Sequence, residues 1–227
     1  MTGQASLPRA ILFDWDNTLV DNWPVIHEAY NVTLTAFGQP PWSLAEVRAR
    51  ARASARDSFP RLFGGAWRDA ERIFYEAFTA RHLERLDVMP GAAAMLDGLV
   101  QRGVYLAVVS NKKGPVLRRE AEHLGWNRHF SRVIGAGDAA RDKPAVDPVD
   151  LALTGSAIGR GSHVWFVGDT DIDIECGRNA GCFTVLLRAE PPHGPEFVRQ
   201  VPDRHVPDCA GLARLVEQLA VSSPGVM

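Results

Sequence analysis

The sequence predicts an α/β fold, in which a Rossmann-like, doubly wound parallel sheet carries an inserted all-α helical domain. Two observations support this prediction. Short apolar runs, typical of buried strands, alternate with segments of helical pattern through most of the chain. One stretch departs from this alternation and contains helical patterns alone. With 227 residues, the chain is long enough for one large domain, or for one domain and a small accessory domain.

Five apolar runs predict the strands of the sheet: Ala10–Phe13, Tyr105–Val109, Val133–Ile134, Val164–Val167 and Phe183–Leu187. Their near-continuous apolar character is expected where helices cover both faces of a parallel sheet. Helical patterns lie between the runs, at Ala92–Arg102, Val116–Leu124 and Val149–Ile158. Because the crossover connections of such sheets are right-handed, the carboxyl ends of all the strands meet at one edge.

The stretch after the first strand predicts a separate helical domain. Between residues 22 and 87 the sequence has no strand-like run and contains three helical patterns, at Val25–Phe37, Leu44–Ala55 and Ala70–Leu86. Pro90 and Gly91 form a natural boundary after it. We therefore expect an α/β core of residues 1–20 and 89–227 and a helical domain of residues 21–88.

The composition argues against several classes of partner. The chain is 46% apolar and 23% charged, with a formal net charge of −2. This balance lacks the positive charge typical of proteins that bind nucleic acid or an anionic membrane, so we expect neither partner. No apolar run approaches the roughly 20 residues that cross a bilayer, and residues 1–8 lack the pattern of a secretory signal. We therefore expect a cytoplasmic protein.

The cysteines predict neither a disulfide framework nor a zinc site. Cys176, Cys182 and Cys209 are an odd number and lack C-x-x-C spacing. The histidines do not supply the paired short spacings that a zinc site requires. We expect three reduced thiols that fill small apolar spaces.

Two carboxylates, Asp14 and Asp16, directly follow the first apolar run. Open α/β sheets bind their ligands beyond the carboxyl ends of the strands. A desolvated acidic pair is costly, so it requires a cation, a shared proton or a catalytic role. On this window alone a turn with a helix cap is an equally good interpretation, because Asp and Asn favour turns and caps.

Polar residues also follow two other predicted strands or lie between them: Ser110, Asn111, Lys143, Asp169 and Asp173. Individually they fit a helix cap, a solvated lysine and turn or first-turn aspartates. If the strands are neighbours, these residues converge with the aspartate pair, and the set then suits phosphoryl transfer. A carboxylate can attack phosphorus, and hydroxyl, amide and ammonium groups can hold the phosphoryl oxygens. Several carboxylates would repel a phosphate, so the set requires a divalent ion, and Mg²⁺ prefers such oxygen ligands.

The motifs resemble those of the haloacid dehalogenase superfamily, in its phosphatase branch with a helical cap inserted after the first core strand. Four motifs appear in the family's order: Asp14-x-Asp16-x-Thr18, Ser110, Lys143 and Gly168-Asp169-x-x-x-Asp173. Closer similarity to the phosphoglycolate phosphatase-like group comes from Leu19-Val20-Asp21, Pro90-Gly91, Ser110-Asn111-Lys112 and Lys143-Pro144. The inserted helical domain is, by this resemblance, the cap domain.

The resemblance implies a division of labour among the four aspartates. Asp14 is expected to be the nucleophile. Asp16 is expected to protonate the leaving group and then to activate the hydrolytic water. The side chains of Asp14 and Asp169, with the backbone carbonyl of Asp16, are expected to bind Mg²⁺. Asp173 is expected to support this metal site, directly or through water.

The same resemblance implies the substrate contacts. Ser110 is expected to hydrogen-bond the phosphoryl group, and Lys143 to neutralise charge on the nucleophile and the phosphate; both count among the catalytic residues. The expected substrate-binding set also includes Asn111, through its backbone amide, and Thr18, which should brace the turn between the aspartates.

The function predicted from these residues is Mg²⁺-dependent hydrolysis of a small phosphorylated metabolite through an aspartyl phosphate, by a phosphoglycolate phosphatase-like enzyme acting as a monomer or homodimer. Asp16 argues against a carbon–halogen hydrolase, and the absence of lysine between residues 22 and 87 argues against a phosphonate hydrolase. A sugar phosphomutase on the same scaffold and a non-catalytic regulatory scaffold remain alternatives. The complete acidic and lysine set disfavours the second.

The cap leaves two questions open. Its arginines at 48, 50, 52 and 56 favour a solvated surface, because a spacing of two spreads side chains around a helix. The alternative is that one or two of them bind a substrate carboxylate or second phosphate. The Gly- and Pro-containing stretch Ser58–Gly65 predicts a loop that faces the substrate. Asp171, inside the fourth motif, is expected to be an exposed loop charge.

Overall fold

The computed structural model describes residues 5–222, so the first four residues of the amino-terminal stretch considered above lie outside it. The described strands are β1 (Ala10–Phe13), β2 (Val20–Asp21), β3 (Asp87–Val88), β4 (Tyr105–Lys113), β5 (Arg132–Ala136), β6 (Val164–Gly168), β7 (Phe183–Leu187) and β8 (Arg204–Val206). The described helices are α1 (Trp23–Ala36), α2 (Leu44–Arg50), α3 (Ala55–Phe63), α4 (Trp67–Thr79), α5 (Ala92–Gln101), α6 (Gly114–His123), α7 (Asp147–Leu153), α8 (Asp171–Asn179) and α9 (Cys209–Ser222). None of these helices has the length and apolar composition needed to cross a bilayer.

Six strands form one sheet in the order β5-β4-β1-β6-β7-β8, and every neighbouring pair is parallel. β1 is central, with Phe13 opposite Val108 of β4 on one side and Val167 of β6 on the other. The chain therefore builds the sheet outwards from β1 in both directions, which confirms the predicted doubly wound α/β fold. The carboxyl end of β1 is the switch point at which such sheets bind ligands.

The apolar run of β1 is explained by burial on both faces of the sheet. Ile11 and Phe13 pack in a cluster with α5, α6 and α9, while Ala10 and Leu12 pack in a second cluster with α7 and α8. All four side chains are fully buried. Alternate residues of a strand point to opposite faces, so a strand with helices on both sides must be apolar throughout.

The inserted stretch forms a helical cap with an apolar core of its own. Helices α1 to α4 lie between β2 and β3 and share one buried cluster. At its centre the Tyr30 ring lies 5.6 Å from Trp42, 5.9 Å from Phe59 and 5.0 Å from Phe74, measured between ring centroids. Aromatic pairs at these separations add to the energy of apolar burial. The predicted all-α insertion is confirmed, and the domain limits at residues 21 and 88 stay a prediction.

The two chain connections between cap and core pair with each other. β2 and β3 form a two-stranded antiparallel ladder in which Val20 lies opposite Val88 and Asp21 opposite Asp87. The entry to the cap and the exit from it are therefore held side by side by backbone hydrogen bonds. No sequence pattern predicts this ladder, because two residues are too few to show a strand pattern.

Three predictions about the cap are wrong, the first being the helix expected over Ala70–Leu86, which begins at Trp67 and ends at Thr79. The helix expected over Leu44–Ala55 ends at Arg50, and a new helix begins at Ala55, after Ser54, whose hydroxyl donates to Asp57 Oδ2 at 3.1 Å. The loop expected over Ser58–Gly65 is mostly helix α3, followed by a 3₁₀ turn at Gly64–Ala66. Pro60 lies inside α3 and removes one backbone donor. Burial of Phe59 and Phe63 on one face of the helix outweighs this loss.

Strand β4 is longer than the sequence predicts. It continues past Val109 to Lys113, with an irregular register between these two residues. Ser110 and Asn111 therefore belong to the end of the strand. They are not the amino-terminal cap of the following helix, since α6 begins only at Gly114. In the other direction, α7 is shorter than predicted and ends at Leu153, two residues before Gly155, which has a positive φ of +81°.

The three cysteines are free and buried, which confirms the prediction of reduced thiols. Burial raises the pKa of Cys176 and Cys182 to about 12 and that of Cys209 to about 11. The thiolate is the reactive form, so all three should be inert in the folded protein.

We expect thiol reagents to modify the native protein slowly. At about pH 8 the thiolate fraction of these cysteines is at least roughly 100-fold below that of a free cysteine, and burial adds a steric barrier. Labelling with iodoacetamide, followed by intact-protein mass spectrometry, measures this rate. The control is the same protein in guanidinium chloride, where three labels per chain should appear quickly. Rapid labelling of any cysteine before unfolding would contradict the buried placement.

Candidate active site

Asp14 and Asp16 lie in the turn that follows β1. The backbone N–H of Asp14 donates to Val167 O at 2.8 Å, which extends the parallel ladder by one residue. Trp15, between them, is fully buried and packs edge-on against Trp126. The alternation of the extended chain thus turns the indole into the core and leaves both carboxylates lining a cavity. The structure therefore favours a site over the simple turn and cap that the aspartate pair alone also allowed.

The sheet order brings the remaining predicted residues to the same place. β4 and β6 flank β1, so their carboxyl ends deliver Ser110 and Asp169 to either side of Asp14. One cavity of about 110 Å³ is lined by seven of the predicted site residues: Asp14, Asp16, Ser110, Asn111, Lys143, Asp169 and Asp173. The convergence expected from neighbouring strands is present in the structure.

Lys143 is buried between two carboxylates. Its Nζ donates to Asp14 Oδ1 at 2.6 Å and to Asp173 Oδ1 at 2.7 Å. Burial disfavours the ammonium form, but the two aspartates outweigh it and raise the pKa of Lys143. Burial also raises the pKa of Asp14 to about 6, against the lowering effect of Lys143. At neutral pH the pair is therefore an ammonium ion facing a largely ionised carboxylate.

Three carboxylates form a cluster suited to a divalent cation. Oxygens of Asp14, Asp169 and Asp173 lie within 4.8 Å of one another. When all three are ionised, Lys143 balances only one of their charges, so two negative charges remain. Burial, and then repulsion from Asp173 and Asp14, raises the pKa of Asp169 well above its ordinary value. Hard oxygen donors with this surplus charge fit Mg²⁺ or a similar ion.

Asp173 is oriented by contacts on both of its oxygens. Oδ1 accepts from Lys143, and Oδ2 accepts from the N–H of Thr170 at 3.0 Å and from its hydroxyl at 2.7 Å. Asp173 thus forms a reciprocal cap with Thr170 in the first turn of α8 and holds the lysine at the same time. Gly168 makes room for it, because a Cβ at that position would overlap the Asp173 side chain.

Thr18 differs from its expected role in substrate binding. It is fully buried and is not among the residues that line the cavity. Its hydroxyl is 3.5 Å from Asp169 Oδ1, and its backbone N–H is 3.4 Å from Trp15 O. The threonine therefore contacts the acidic cluster without lining the cavity.

Asn111 connects the loop that carries Lys143 with the cap. Its side-chain Oδ1 accepts from the backbone N–H of Lys143 at 3.0 Å, and its Nδ2 donates to Lys143 O at 3.2 Å and to Arg52 O at 3.3 Å. The side chain thus orients two cavity-lining residues, a role that the sequence did not predict. Its predicted contact, through the backbone amide, stays a prediction.

The sequence favours a solvated surface for the cap arginines. The structure shows that two of them are not solvated in this way. Arg52 lines the cavity and pairs with Asp171 at 2.8 Å and with Glu196 at 3.5 Å. Arg56 donates from two nitrogens to Asp142, each at 2.6 Å. Both arginines bridge the cap to the core. Asp171 is consequently the ion-paired first residue of α8, which corrects the expectation of an exposed loop charge.

The other two arginines lie on the cap itself. Arg48 is placed over the ring of Trp23 at 5.4 Å, and Arg50 over the ring of Trp42 at 4.5 Å. Aromatic rings of the cap also form one wall of the cavity: Tyr30, Phe59, Phe74, Tyr75 and Phe78. The segment Ala51–Ala53 lines the cavity, in place of the predicted loop at Ser58–Gly65. Phe59 is the one residue of that stretch to reach the cavity among those described.

Sequence reasoning missed a second buried charged network. Lys112 Nζ donates to Asp16 Oδ1 at 2.6 Å and to Glu120 Oε2 at 2.7 Å, and His82 contacts Glu120 Oε1 at 2.8 Å. A signal was available, since Glu120 interrupts the apolar face that Leu117 and Ala121 form on α6. A lone acidic residue on a buried helix face predicts a partner.

A buried aspartate that is held by a lysine, belongs to a cluster that fits a divalent cation and lies at the switch point of a doubly wound sheet forms a site suited to phosphoryl transfer. The sequence pattern of the family described as haloacid dehalogenase-like hydrolase matches residues 11–187. The chain belongs to this family. Its described geometry and its relatives identify it as a phosphoric monoester hydrolase.

Two curated relatives show the level of similarity. Phosphoglycolate phosphatase 1 of Pseudomonas aeruginosa is 28% identical over 225 residues, which cover 94% of this chain and 82% of the relative. Phosphoglycolate phosphatase of Pseudomonas syringae pv. tomato is 30% identical over 221 residues, which cover 92% of this chain and 79% of the relative.

Solved structures agree with the fold. A HAD-superfamily hydrolase from Ehrlichia chaffeensis has a TM-score of 0.65 at 26% identity, covering 96% of this chain and 100% of that chain. CbbY from Rhodobacter sphaeroides, solved in complex with phosphate, has a TM-score of 0.75 at 22% identity, covering 90% of this chain and 96% of that chain.

We expect Asp169→Asn to stabilise the cation-free protein and to remove the stabilisation that a divalent cation provides. Because the pKa of Asp169 is raised in the folded protein, its ionisation at neutral pH opposes folding, and the neutral amide removes that cost. The variant should melt at a higher temperature than wild type in EDTA. It should also lose the gain that a divalent cation gives wild type. At about 100 times its Kd an ion adds about 2.7 kcal/mol, roughly 5–10 °C for a chain of this size.

Thermal unfolding in EDTA and in excess MgCl₂ or MnCl₂ measures both effects. Asp171→Asn is the matched control, because it removes a neighbouring aspartate outside the cluster and should keep the cation-dependent gain. An undiminished gain in Asp169→Asn would place the cation elsewhere.

Proposed function

We propose that this chain is a Mg²⁺-dependent phosphatase that hydrolyses a small phosphorylated metabolite through an aspartyl phosphate on Asp14. The observation that carries the proposal is the placement of Asp14 between the Lys143 ammonium group and two further carboxylates, with Asp16 lining the same cavity. A nucleophile, a proton carrier and a cation site are thereby available to one phosphoryl group.

In the first half-reaction an oxygen of Asp14 attacks phosphorus while the bond from phosphorus to the leaving oxygen breaks. Asp16 gives its proton to the departing alkoxide, so the alcohol leaves neutral. Asp14 is suited to attack because a pKa of about 6 leaves most of it ionised at neutral pH. Ser110 and Lys143 hold the phosphoryl oxygens, and Lys143 keeps the nucleophile in place.

In the second half-reaction water attacks the phosphorus of the aspartyl phosphate. Asp16, now ionised, takes the proton of that water, inorganic phosphate forms, and the Asp14 carboxylate is released. Mg²⁺, held by the side chains of Asp14 and Asp169 and the backbone carbonyl of Asp16, would neutralise phosphate charge in both steps. Asp173 keeps Lys143 and the acidic cluster in position.

The substrate we propose is a short phosphorylated hydroxy acid, such as phosphoglycolate. The cavity is small, and aromatic rings of the cap form one of its walls. Arg52 adds a positive charge to its lining, and Arg52 Nε is buried without a hydrogen-bond partner within residues 5–222. A guanidinium with a free donor suits a carboxylate. The relatives named phosphoglycolate phosphatase support the same substrate.

We expect Asp14→Asn to abolish hydrolysis of p-nitrophenyl phosphate, because an amide oxygen is a poor nucleophile. Asp16→Asn should instead accumulate the phosphorylated enzyme with this substrate. The p-nitrophenolate leaving group departs without a proton, so the phosphorylated enzyme still forms. The hydrolytic water still needs a base, so the phosphorylated enzyme is not broken down. Intact-protein mass spectrometry should show one added phosphoryl group, and peptide mapping should place it on Asp14.

The matched control is the double variant Asp14→Asn/Asp16→Asn, which should take up no phosphoryl group. A phosphoryl group on any other residue would overturn the proposed roles.

Product analysis with the wild-type enzyme distinguishes the alternatives: inorganic phosphate indicates a phosphatase, an isomerised sugar phosphate a phosphomutase, and no turnover a non-catalytic scaffold.

We expect Arg52→Gln to raise KM for phosphoglycolate by about 10- to 100-fold, the effect of losing a hydrogen bond between charged groups. KM for p-nitrophenyl phosphate should change less than about threefold, because that substrate has no carboxylate. Arg50→Gln, on the cap and over Trp42, is the control and should affect neither substrate. An equal rise for both substrates would show that Arg52 acts on the site as a whole and does not bind the carboxylate.

A further inference from the structure

Lys112 occupies an unusual place for a lysine. It lies near the end of β4, two residues after Ser110, and its side chain is only 5% exposed. Its ammonium group is shared between Asp16 and Glu120, at 2.6 and 2.7 Å. The desolvation of a buried ion pair can exceed its Coulombic gain, so stability alone is weak grounds for such an arrangement.

Glu120 is a fixed anchor for this lysine. It is fully buried, and its Oε2 accepts from Lys112 and from the Trp15 indole N–H, both at 2.7 Å. Oε1 contacts His82 Nδ1 at 2.8 Å. With both oxygens occupied by donors, the carboxylate has one orientation, and it holds the ammonium group of Lys112 in one place.

The lysine in turn fixes one oxygen of Asp16. Both described hydrogen bonds to the Asp16 side chain end on Oδ1, from Lys112 Nζ at 2.6 Å and from Asn22 Nδ2 at 2.6 Å. Two donors on the same oxygen set the rotation of the carboxyl group and leave Oδ2 without a hydrogen bond among the described residues. An acid–base group must lie within hydrogen-bond reach of the atom it protonates, so its rotation matters for the reaction.

We propose that Lys112, anchored by Glu120, is a positioning residue that orients the carboxyl group of Asp16 for proton delivery to the leaving oxygen. The proposal rests on the acid–base role given to Asp16 under the proposed function. The alternative is that the network only ties the cap to the core, since Asn22 begins the cap and His82 follows α4.

The dependence of the rate on the leaving group distinguishes these two roles. p-Nitrophenolate departs without a proton, whereas the alkoxide of glycerol 2-phosphate requires one. Because kcat/KM reports the first half-reaction, a lost proton donor lowers it far more for glycerol 2-phosphate. We expect Lys112→Met to reduce kcat/KM for glycerol 2-phosphate by about 10- to 100-fold more than for p-nitrophenyl phosphate. This is part of the 100- to 10,000-fold that general acids contribute.

Three further variants complete the experiment. Asp16→Asn removes the proton donor itself and should show the largest extra loss of kcat/KM for glycerol 2-phosphate. Glu120→Gln, which keeps the shape of the anchor and removes its charge, should show it in reduced form. Lys113→Met removes the neighbouring lysine, whose side chain is 46% exposed, and should change both substrates by the same factor. Circular dichroism and thermal unfolding establish that each variant is folded.

Each outcome has one meaning. Folded Lys112→Met with equal losses for both substrates overturns the positioning role and leaves a purely structural network. If Lys112→Met does not fold, equal losses in Glu120→Gln overturn it likewise, and a selective loss for glycerol 2-phosphate supports it. If Asp16→Asn itself lacks the leaving-group dependence, the proposed function of Asp16 fails, and the positioning role fails with it.

Discussion

The site depends on an imbalance of buried charge at the end of β1. Asp14, Asp169 and Asp173 converge there, and among residues 5–222 Lys143 is the one ammonium group placed between two of them. Charges taken out of water are costly, so the negative charge that the lysine leaves unbalanced must be met by protons or by a bound cation. The raised pKa values of Asp14 and Asp169 favour the uptake of protons. The oxygen donors of the cluster fit a bound cation. The rest of the site keeps these groups together in spite of their repulsion.

The sheet supplies the rigidity that this repulsion requires. Lys143 and Asp14 are 129 positions apart in sequence and touch only because their loops lie at the same edge of a parallel sheet. β1 is buried on both faces and flanked on both sides, so the backbone that carries Asp14 cannot move away from its neighbours. Asp173 accepts a hydrogen bond from the backbone in the first turn of α8, and Asn111 accepts one from the backbone of Lys143. Sites built on such elements are held more precisely than sites on free loops.

Five of the six sheet strands were predicted because their apolar runs are local patterns, whereas the three residues of β8 show none. The acidic site required the order of several motifs along the chain as well. An apolar run ending in Asp14 and Asp16 is visible in seven residues, and the parallel sheet then determines where the strand ends meet. The cap was harder, because α3 is helical in spite of Pro60, and this follows from tertiary burial of Phe59, which no local pattern shows. Arg52 looked solvated for the same reason, since its partners lie more than a hundred residues away in the core. Thr18 is buried beside Asp169 and does not line the cavity, because a motif gives proximity to the site and not the direction of a side chain.

The two buried lysines of the chain follow one design. The chain has only three lysines, and two of them, Lys112 and Lys143, each bridge a cavity-lining aspartate and a second carboxylate. A lysine paired with the reacting aspartate alone would lose its only partner whenever that group became esterified or protonated, leaving a buried charge uncompensated. Asp173 and Glu120 also accept from these lysines, so each lysine would keep one carboxylate partner while the neighbouring aspartate changes in the proposed cycle. In the proposed reaction cycle the first carboxylate cannot remain an anion throughout, and the second carboxylate would therefore keep each lysine charged and in place.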